Sequence, residues 1–361
     1  MQRRSFIKQA GLGLTATAAA IAAPAVHAQP ALRWRMATSY STSLHAHYGS
    51  EQRFTQLVEQ MSGGKFTITL HHAGELMPAF GVLDGVQNGT VECVHTAPYY
   101  FVGKDETFGI GSGIPFGLNT RQMNAWMFDG NGLDLMREFY RNYNIINFPM
   151  GNTNAQMGGW FRKEVQGVED LQGLKIRIPG MAGEVFQRMG AVPQQIPGSD
   201  IYTSLEKGTI DAAEWVGPLD DQKLGLNKVA PYYYYPGWWE GSGQVDLFVN
   251  TKAWESLSAE NQAIIQAAST VGHLAMQTIY DNRNPQALKE LVGGGTQLRR
   301  FSKPIMDRSF KESMQLFDEI SGRNPNWKKV YADYAKFRAD QNSWFKFAEG
   351  SFDSYMQMQD W

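Results

Sequence analysis

The segment Leu205-Glu-Lys-Gly-Thr-Ile-Asp-Ala212 has the same pattern as Val86-Gln-Asn-Gly-Thr-Val-Glu-Cys93 earlier in the chain. In each segment the glycine is placed to end a helix, because glycine adopts positive φ without steric cost. A strand is predicted to begin within two residues of that glycine. Glycine is common at helix-to-strand corners, so the similarity could be generic. Seven matching residue classes in eight positions nevertheless favour two lobes of similar build.

Around these corners the sequence alternates between strand-like and helix-like segments. Apolar and polar residues alternate at period two over 32–37, 66–71, 90–95 and 174–178, which predicts strands. Helical spacing of apolar residues predicts helices over 48–61, 78–88 and 183–189. Strands separated by helices are typical of an α/β protein with mainly parallel sheets. The last sixty or so residues differ, since Phe310, Phe317 and Tyr331 recur at helical spacing and predict long amphipathic helices.

The first 28 residues have the three parts of an export signal. Arg3 and Arg4 begin it, an uncharged Ala-rich run covers 10–26, and Ala28 offers a small residue for cleavage. The paired arginines indicate the twin-arginine route, so we expect the mature protein in the periplasm. A membrane anchor is the alternative. The apolar run is too short and too rich in alanine for that, since a span needs about 20 apolar residues.

Composition excludes several other classes of protein. The 361 residues include 33 Lys and Arg and 35 Asp and Glu, without a basic run, which argues against a nucleic-acid partner. The single cysteine, Cys93, excludes an internal disulfide and lies in an apolar-leaning run, where burial is expected.

Sequence signals for catalysis are sparse. The chain has no Gly-rich phosphate loop, no Gly-x-Ser-x-Gly elbow and no His-Glu-x-x-His motif. The close histidines, His45 with His47 and His71 with His72, lack further ligands at metal-binding spacing. We therefore expect them to be surface or packing residues.

Two features of the middle of the chain point to ligand binding. Arg177 lies at the C-terminal end of the predicted strand over 174–178, the edge at which open α/β sheets bind ligands. Its guanidinium group suits a carboxylate, although this position alone favours an ordinary solvated strand arginine. The run Pro231-Tyr-Tyr-Tyr-Tyr-Pro-Gly-Trp-Trp-Glu240 holds six aromatic residues. These aromatics either line a cleft or pack a seam between lobes.

Five longer segments resemble one known family. They are 154–162 (NAQMGGWFR), 174–180 (LKIRIPG), 192–196 (VPQQI), 205–218 (LEKGTIDAAEWVGP) and 230–241 (APYYYYPGWWEG). Together they resemble the solute-binding component of tripartite ATP-independent periplasmic (TRAP) transporters, and within it the branch that binds α-keto acids and lactate. The likeness covers nearly the whole chain.

The resemblance implies a two-lobed periplasmic binding-protein fold with a hinge cleft and long C-terminal helices. We expect lobe 1 over 29–151 plus roughly 243–290, and lobe 2 over 152–242 plus part of 291–310. Helices over 311–361 would then serve packing or dimerisation. Members of this branch form homodimers through C-terminal helices, whereas packing across the backs of both lobes is the alternative.

The resemblance also implies a binding site. Arg177 matches the arginine that binds the substrate carboxylate, and Tyr99 and Tyr100 match polar-tipped aromatics of the first lobe. A sodium or calcium ion would bridge protein and substrate. The positions that match its ligands, all oxygen donors of the kind that hard cations prefer, are Gln156, Glu214, the carbonyl of Trp215 and Glu240. Gln156 and Trp215 would contact the substrate as well.

The expected function is that of a periplasmic receptor. It would close over a small 2-oxo or 2-hydroxy monocarboxylate, such as pyruvate or lactate, and deliver it to the TRAP membrane permease. An exported enzyme acting on small acids, with Glu214 or Glu240 as general base, is the alternative. A periplasmic sensor that presents the same ligand to a receptor is a third interpretation.

Overall fold

The computed structural model describes residues 31–359, and the predicted signal peptide over 1–28 lies outside them. Eleven strands occur in this part of the chain: β1 (Leu32–Thr38), β2 (Phe66–His71), β3 (Cys93–Thr96), β4 (Ile145–Asn152), β5 (Trp160–Phe161), β6 (Lys175–Arg177), β7 (Val192–Gln194), β8 (Ala212–Ala213), β9 (Tyr232–Tyr235), β10 (Gln244–Asn250) and β11 (Gln297–Arg300).

The α-helices of residues 31–359 are α1 (His45–Met61), α2 (Val82–Gln87), α3 (Thr107–Ile110), α4 (Thr120–Phe128), α5 (Gly132–Tyr140), α6 (Gly180–Arg188), α7 (Gly198–Glu206), α8 (Pro218–Leu224), α9 (Thr251–Glu255), α10 (Ala259–Gly293), α11 (Lys303–Arg323), α12 (Pro325–Phe347) and α13 (Glu349–Met356). A short 3₁₀ helix over Pro98–Phe101 also matters for the site. Among the helices described, none combines the length and the apolar character that crossing a membrane requires.

The strands form two sheets, which define two lobes. Lobe 1 is built on the sheet ordered β2-β1-β3-β10-β4, and lobe 2 on the sheet ordered β11-β9-β5-β8-β6-β7. The predicted two-lobed α/β fold is therefore confirmed. Each sheet also contains one strand antiparallel to both of its neighbours, β10 in lobe 1 and β5 in lobe 2. These are the strands that the chain enters directly after crossing from the other lobe, so the sheets are mixed.

The two glycine corners are built alike. Gly89 and Gly208 both adopt left-handed backbone conformations, with φ of 73° and 69°. Each donates its N–H to a carbonyl three residues earlier, and the next two N–H groups both donate to one carbonyl of the preceding helix. Because Thr90 and Val91 use their N–H groups in this way, β3 begins only at Cys93, later than predicted.

Other predicted elements agree with the structure to within a few residues. Strands β1, β2 and β6 and helix α1 lie where the pattern placed them. The helix predicted over 78–88 is reduced to Val82–Gln87, because the preceding residues form a turn closed by a hydrogen bond from Gly81 to Pro78. Cys93 is buried, and burial raises the pKa of its thiol.

Three connections join the lobes. Two are the segments over 153–159 and 236–243, here called the crossing segments, which connect β4 to β5 and β9 to β10. They are tied to each other by backbone hydrogen bonds, including Gln156 N to Glu240 O at 3.0 Å and Thr153 N to Gly243 O at 3.0 Å. The third is the 35-residue helix α10, which packs on α1 and β4 of lobe 1 and on α8 of lobe 2. The sequence patterns do not predict α10.

The C-terminal helices cross the backs of both lobes. Helix α11 packs on α6 of lobe 2, and α12 packs on α3, α4 and α5 of lobe 1. Tyr334 of α12 is buried and its hydroxyl accepts a 2.7 Å hydrogen bond from Leu118 N. The predicted long amphipathic helices are thus present. Beyond this packed part, the exposed large apolar side chains are Trp344, Phe347, Phe352, Tyr355 and Met358.

Candidate functional site

A small cavity lies between the lobes, with a volume of about 10 Å³, which is room for about one water molecule. Its lining residues are Tyr40, His47, Tyr99, Tyr100 and Val245 from lobe 1, Arg177, Trp215 and Val216 from lobe 2, and Thr153 from a crossing segment. Because each lobe contributes one wall, the cavity exists in this form only when the lobes are closed together.

Arg177 is the cation of the lobe 2 wall. It ends β6, and only 1% of it is exposed. Its Nε donates to Ile196 O at 2.9 Å, and its Nη1 donates to Glu214 O at 2.9 Å and to the Glu214 carboxylate. The guanidinium carbon also lies 4.9 Å from the ring centroid of Trp215, a cation–π contact. These contacts hold the guanidinium plane rigidly in the cavity wall.

One nitrogen of this guanidinium group has no hydrogen-bond acceptor. Among the described residues Arg177 Nη2 is buried without a hydrogen-bond partner. A buried charged donor without a partner costs free energy, so the arrangement is complete only with an acceptor in the cavity. A carboxylate has the geometry and charge to supply that acceptor.

Two buried glutamates lie beside the cavity. Glu214 follows β8 and Glu240 lies in a crossing segment, and each is at most 3% exposed. Burial raises the pKa of Glu214 to about 7, against the positive charge of Arg177. Burial also raises the pKa of Glu240 well above its usual value, and the negative charge of Glu214 raises it further. The site therefore favours a positive charge next to these carboxylates.

The oxygens around the glutamates are also unpartnered. Glu214 Oε2, both carboxylate oxygens of Glu240 and Gln156 Oε1 are buried without a close hydrogen bond in the described part of the chain. Trp239 and Tyr99 lie near enough to lower the pKa of Glu214 and of Glu240, respectively. The amide nitrogen of Gln156 donates to Thr153 Oγ1 at 2.9 Å, so it is the amide oxygen that remains available. Residues 31–359 contain no group of three His, Cys, Asp or Glu side chains placed to hold a metal ion. The donors present are carboxylate, amide and carbonyl oxygens, which fit sodium or calcium rather than a transition metal.

The lobe 1 wall carries two neighbouring phenols. Tyr99 and Tyr100 lie in the 3₁₀ helix Pro98–Phe101, with their ring centroids 5.0 Å apart. Burial raises the pKa of Tyr100 to about 12, although Arg177 opposes the shift. Burial, and then the charge of Glu240, raise the pKa of Tyr99 well above its usual value. Both hydroxyls are therefore protonated near neutral pH and can donate hydrogen bonds to a ligand.

The structure brings all the predicted site residues to one place, in two layers. Arg177, Trp215, Tyr99 and Tyr100 line the cavity itself. Gln156, Glu214 and Glu240 do not line it in this closed form and are buried directly behind its wall.

Sequence reasoning missed five lining residues, namely Tyr40, His47, Thr153, Val216 and Val245. His47 is the instructive case, because it was expected to be a surface or packing histidine. It is buried and faces the cavity. Nothing local in the sequence distinguishes it from His45, which is exposed.

The aromatic run over 231–240 packs the protein and does not line the cavity. Tyr233 and Tyr234 are buried in the lobe 2 sheet, where Tyr233 stacks on Trp160 at 4.0 Å between ring centroids. Trp238 and Trp239 pack against Phe186 of α6. The cleft interpretation is therefore wrong. The seam interpretation holds for Trp238, which stacks on both Phe186 and Phe116, whereas Tyr233 and Tyr234 fill the interior of lobe 2.

Two lobes that enclose a polar cavity, joined by paired crossing segments, define the class of solute-binding proteins. The comparison with known families agrees. Residues 37–323 match the family model DctP, described as bacterial extracellular solute-binding protein, family 7, and the chain belongs to this family. A relative from Nostoc sp., the monocarboxylate 2-oxoacid-binding periplasmic protein, is 44% identical over 98% of this chain and 99% of its own length.

Solved structures show the same fold with ligands. A TRAP transporter solute-binding protein from Bordetella bronchiseptica is 48% identical, covers 91% of this chain and 98% of its own, and superposes with a TM-score of 0.90. It was described as a mixed-occupancy dimer with calcium and picolinate in one site. A TRAP periplasmic solute-binding protein from Pseudoalteromonas atlantica is 36% identical, with coverage of 91% and 99% and a TM-score of 0.87. It contains sodium and pyruvate.

Proposed function

We propose that this protein is the periplasmic receptor of a TRAP transporter and captures a small 2-oxo or 2-hydroxy monocarboxylate together with a sodium or calcium ion. The observation that carries the proposal is that buried donors and buried acceptors without hydrogen-bond partners lie side by side at the cavity. A buried guanidinium nitrogen without an acceptor lies next to buried carboxylate and amide oxygens without donors. Only a ligand set that brings both an anion and a cation completes both halves.

Each site residue has a stated role in this proposal. Arg177 binds the ligand carboxylate through Nη2, and the hydroxyls of Tyr99 and Tyr100 donate to ligand oxygens. Gln156, Glu214, the carbonyl of Trp215 and Glu240 hold the cation, which also contacts the ligand, so that Gln156 and Trp215 lie against both. The ion supplies positive charge between two carboxylates and an anionic ligand. Without it, these three negative charges would face the single charge of Arg177.

The relatives support this choice of ligand. The Nostoc protein is named for binding 2-oxo acids, and the Pseudoalteromonas structure holds pyruvate with sodium. A 2-oxo or 2-hydroxy acid offers a carboxylate and a neighbouring oxygen that can chelate one cation. The cavity is small, and its apolar lining is limited to Val216, Val245 and the faces of aromatic rings. These features favour a short ligand.

We infer that capture occurs by closure of the two lobes. The expected boundaries, 29–151 with roughly 243–290 and 152–242 with part of 291–310, divide the chain at the crossing segments. Rotation about those segments would expose Arg177 on one wall and Tyr99 and Tyr100 on the other. The closed form is the one that a TRAP permease would recognise. We further propose that the twin-arginine signal over 1–28 directs export of the folded protein.

Isothermal titration calorimetry tests this function. Protein stripped of ligand and treated with a chelator is titrated with pyruvate and with lactate, in buffers with calcium, with sodium and with neither ion. We expect binding with one of the ions and affinity at least about tenfold weaker without both. Indifference of affinity to both ions would overturn the cation assignment.

The same samples test the exported-enzyme alternative. Glu214 or Glu240 would be the general base of such an enzyme, and its product would accumulate over hours. We expect NMR spectra of bound and released ligand to show the unchanged acid, as for a receptor. A changed product would instead establish the enzyme.

We also propose a homodimer formed through the C-terminal helices. Trp344, Phe347, Phe352, Tyr355 and Met358 are all exposed at the end of α12 and beyond, a larger apolar surface than the rest of α12 presents. The related Bordetella structure is a dimer. Light scattering should give twice the chain mass, and the double variant Trp344→Ser, Phe347→Ser should give the monomer mass. Leu274→Ser, at an exposed leucine of α10, is the matched control and should remain dimeric. A monomeric wild type would refute the dimer.

A further inference from the structure

The lobe 1 wall of the cavity contains a histidine held from the other lobe. His47, in α1, lines the cavity and is 2% exposed. Its ring packs on that of Tyr40, another lining residue, with the centroids 4.0 Å apart and the planes inclined by 40°. Two flat side chains therefore form one continuous part of the wall.

The far side of the His47 ring is anchored through a buried hydrogen-bond chain. The hydroxyl of Tyr280, in α10, donates to Asp220 Oδ2 at 2.6 Å, and His47 Nδ1 lies 3.1 Å from the same hydroxyl oxygen. A tyrosine hydroxyl has one hydrogen, which goes to Asp220. His47 Nδ1 must therefore carry a hydrogen and donate it to Tyr280.

This chain joins three separate parts of the molecule. His47 belongs to lobe 1, Tyr280 to the helix that spans both lobes, and Asp220 to α8 of lobe 2. All three side chains are buried. Breaking a buried hydrogen bond without replacing it leaves an unsatisfied polar group, so the ring cannot swing aside while the lobes are closed. Closure thus makes this part of the wall rigid.

The part of the wall formed by Tyr40 and His47 lies where the tail of a bound ligand would end. Under the proposed function, which this inference assumes, Arg177 and the cation hold the carboxylate end of the ligand against lobe 2. The lobe 1 lining residues that this leaves opposite the carboxylate are Tyr40, His47 and Val245. We propose that His47 is a specificity-determining residue, and that its anchored ring sets the maximum length of the ligand tail.

The physical reason is that a rigid wall does not yield to an extra methylene. Overfilling a closed, well-packed pocket forces side chains out of their preferred positions. A single methylene in a hydrophobic pocket changes affinity by about 10 to 200-fold. Tyr280 is the positioning residue in this scheme, because it acts on the ligand only through His47.

A chain-length series tests the proposal. The affinities of wild type and His47→Ala are measured by calorimetry for pyruvate, 2-oxobutanoate, 2-oxopentanoate and 2-oxohexanoate in calcium buffer. Wild-type affinity should fall sharply at some length. We then take the shortest acid that wild type fails to bind. The ratio of its affinity to that of pyruvate should be at least about tenfold higher in His47→Ala than in wild type. His273→Ala, at a buried histidine of α10 that does not line the cavity, should keep the wild-type limit.

A second variant keeps the ring and removes only its anchor. Tyr280→Phe should relax the limit in the same direction by about two- to fivefold, because the His47 ring keeps its volume but loses the 3.1 Å hydrogen bond, and only the longer 3.6 Å contact of Nδ1 with Asp220 Oδ2 remains. If His47→Ala binds pyruvate yet keeps the wild-type length limit, the proposal is wrong. If His47→Ala does not fold or bind, an unchanged limit in Tyr280→Phe overturns it and a relaxed one supports it. Failure of wild type to bind any 2-oxo acid would instead refute the proposed function.

Discussion

Two buried carboxylates of this protein have opposite surroundings. Asp221, in α8, accepts hydrogen bonds at both of its oxygens, whereas neither oxygen of Glu240 accepts a close hydrogen bond in the described part of the chain, and only the nearby Tyr99 hydroxyl lowers its pKa by hydrogen bonding. The donors to Asp221 are Trp160 Nε1 at 2.9 Å, the Tyr233 hydroxyl at 2.7 Å, and the backbone N–H groups of Val216 and Gly217, each at 3.2 Å.

The difference separates a carboxylate satisfied by the fold from one that we propose binds a cation. Burial raises the pKa of Asp221 to about 7, and its donors lower it. Burial also raises the pKa of Glu240, but there the next largest influence is the negative charge of Glu214, which raises it further. A folded protein normally satisfies its buried polar groups, so several unsatisfied groups of opposite charge at one cavity favour a ligand there. Three predictions test this comparison.

The largest expected effect comes from replacing Arg177, the positively charged residue of the proposed site. Arg177→Met removes the guanidinium that would pair with the ligand carboxylate, and we expect affinity to fall by about 100-fold or more. Calorimetry with pyruvate measures the loss, and thermal unfolding shows that the fold persists. Arg188→Met, which removes an arginine paired with Glu319 at the surface, is the control and should bind as wild type does. Retained affinity in Arg177→Met would refute the carboxylate role.

Substituting the two carboxylates should separate binding from stability. Glu240→Gln should weaken cation-dependent binding about tenfold or more, since oxygen sites depend on ligand charge. It should not lower the free energy of unfolding of the ligand-free protein. Asp221→Asn should leave cation-dependent binding unchanged. It should lower the free energy of unfolding by roughly 2 to 4 kcal/mol, because an amide cannot accept hydrogen bonds from donors on both sides. Urea unfolding and calorimetry on both variants measure the two effects. Equal losses of stability in the two variants would show that Glu240 and Asp221 do not differ in this way.

The smallest effect concerns a third buried carboxylate, Asp246 of β10. Asn147 and Gln244 each donate to it at 2.9 Å, and burial raises its pKa to about 7. The folded pKa lies above the unfolded value of about 3.9, so the folded state binds the proton more tightly. Its contribution to stability is therefore present at low pH and is lost as pH rises from about 4 to 7.

Asp246→Asn removes this titration. Relative to wild type, the variant should gain stability with rising pH across that window, by no more than about 1.4 kcal/mol per pH unit. Urea unfolding of both proteins at pH 5, 6 and 7 measures the difference. A difference that is constant with pH would show that the carboxyl is ionised in the folded state throughout.

Several features of the protein follow from its sequence alone, because they depend on nearby residues. Gly89 and Gly208 close their helices by the same local hydrogen bonds, so a short motif was enough to predict two similar lobes. Strand and helix periodicity predicted an α/β protein, and the end of one strand placed Arg177 at a ligand-binding edge. The resemblance to the family added Gln156, Glu214 and Glu240 as expected cation ligands, which no local pattern singles out.

Other features were decided only by contacts between distant parts of the chain. Strands β5 and β10 are antiparallel to their neighbours because the chain enters them from the opposite lobe, which no local pattern records. The aromatic run over 231–240 proved to be packing, since strand pairing directs Tyr233 and Tyr234 into the lobe 2 core. His47 faces the cavity because Tyr280 and Asp220, more than 170 residues away, hold it there. Periodicity shows which face of an element is buried, whereas only the tertiary structure determines what that face meets.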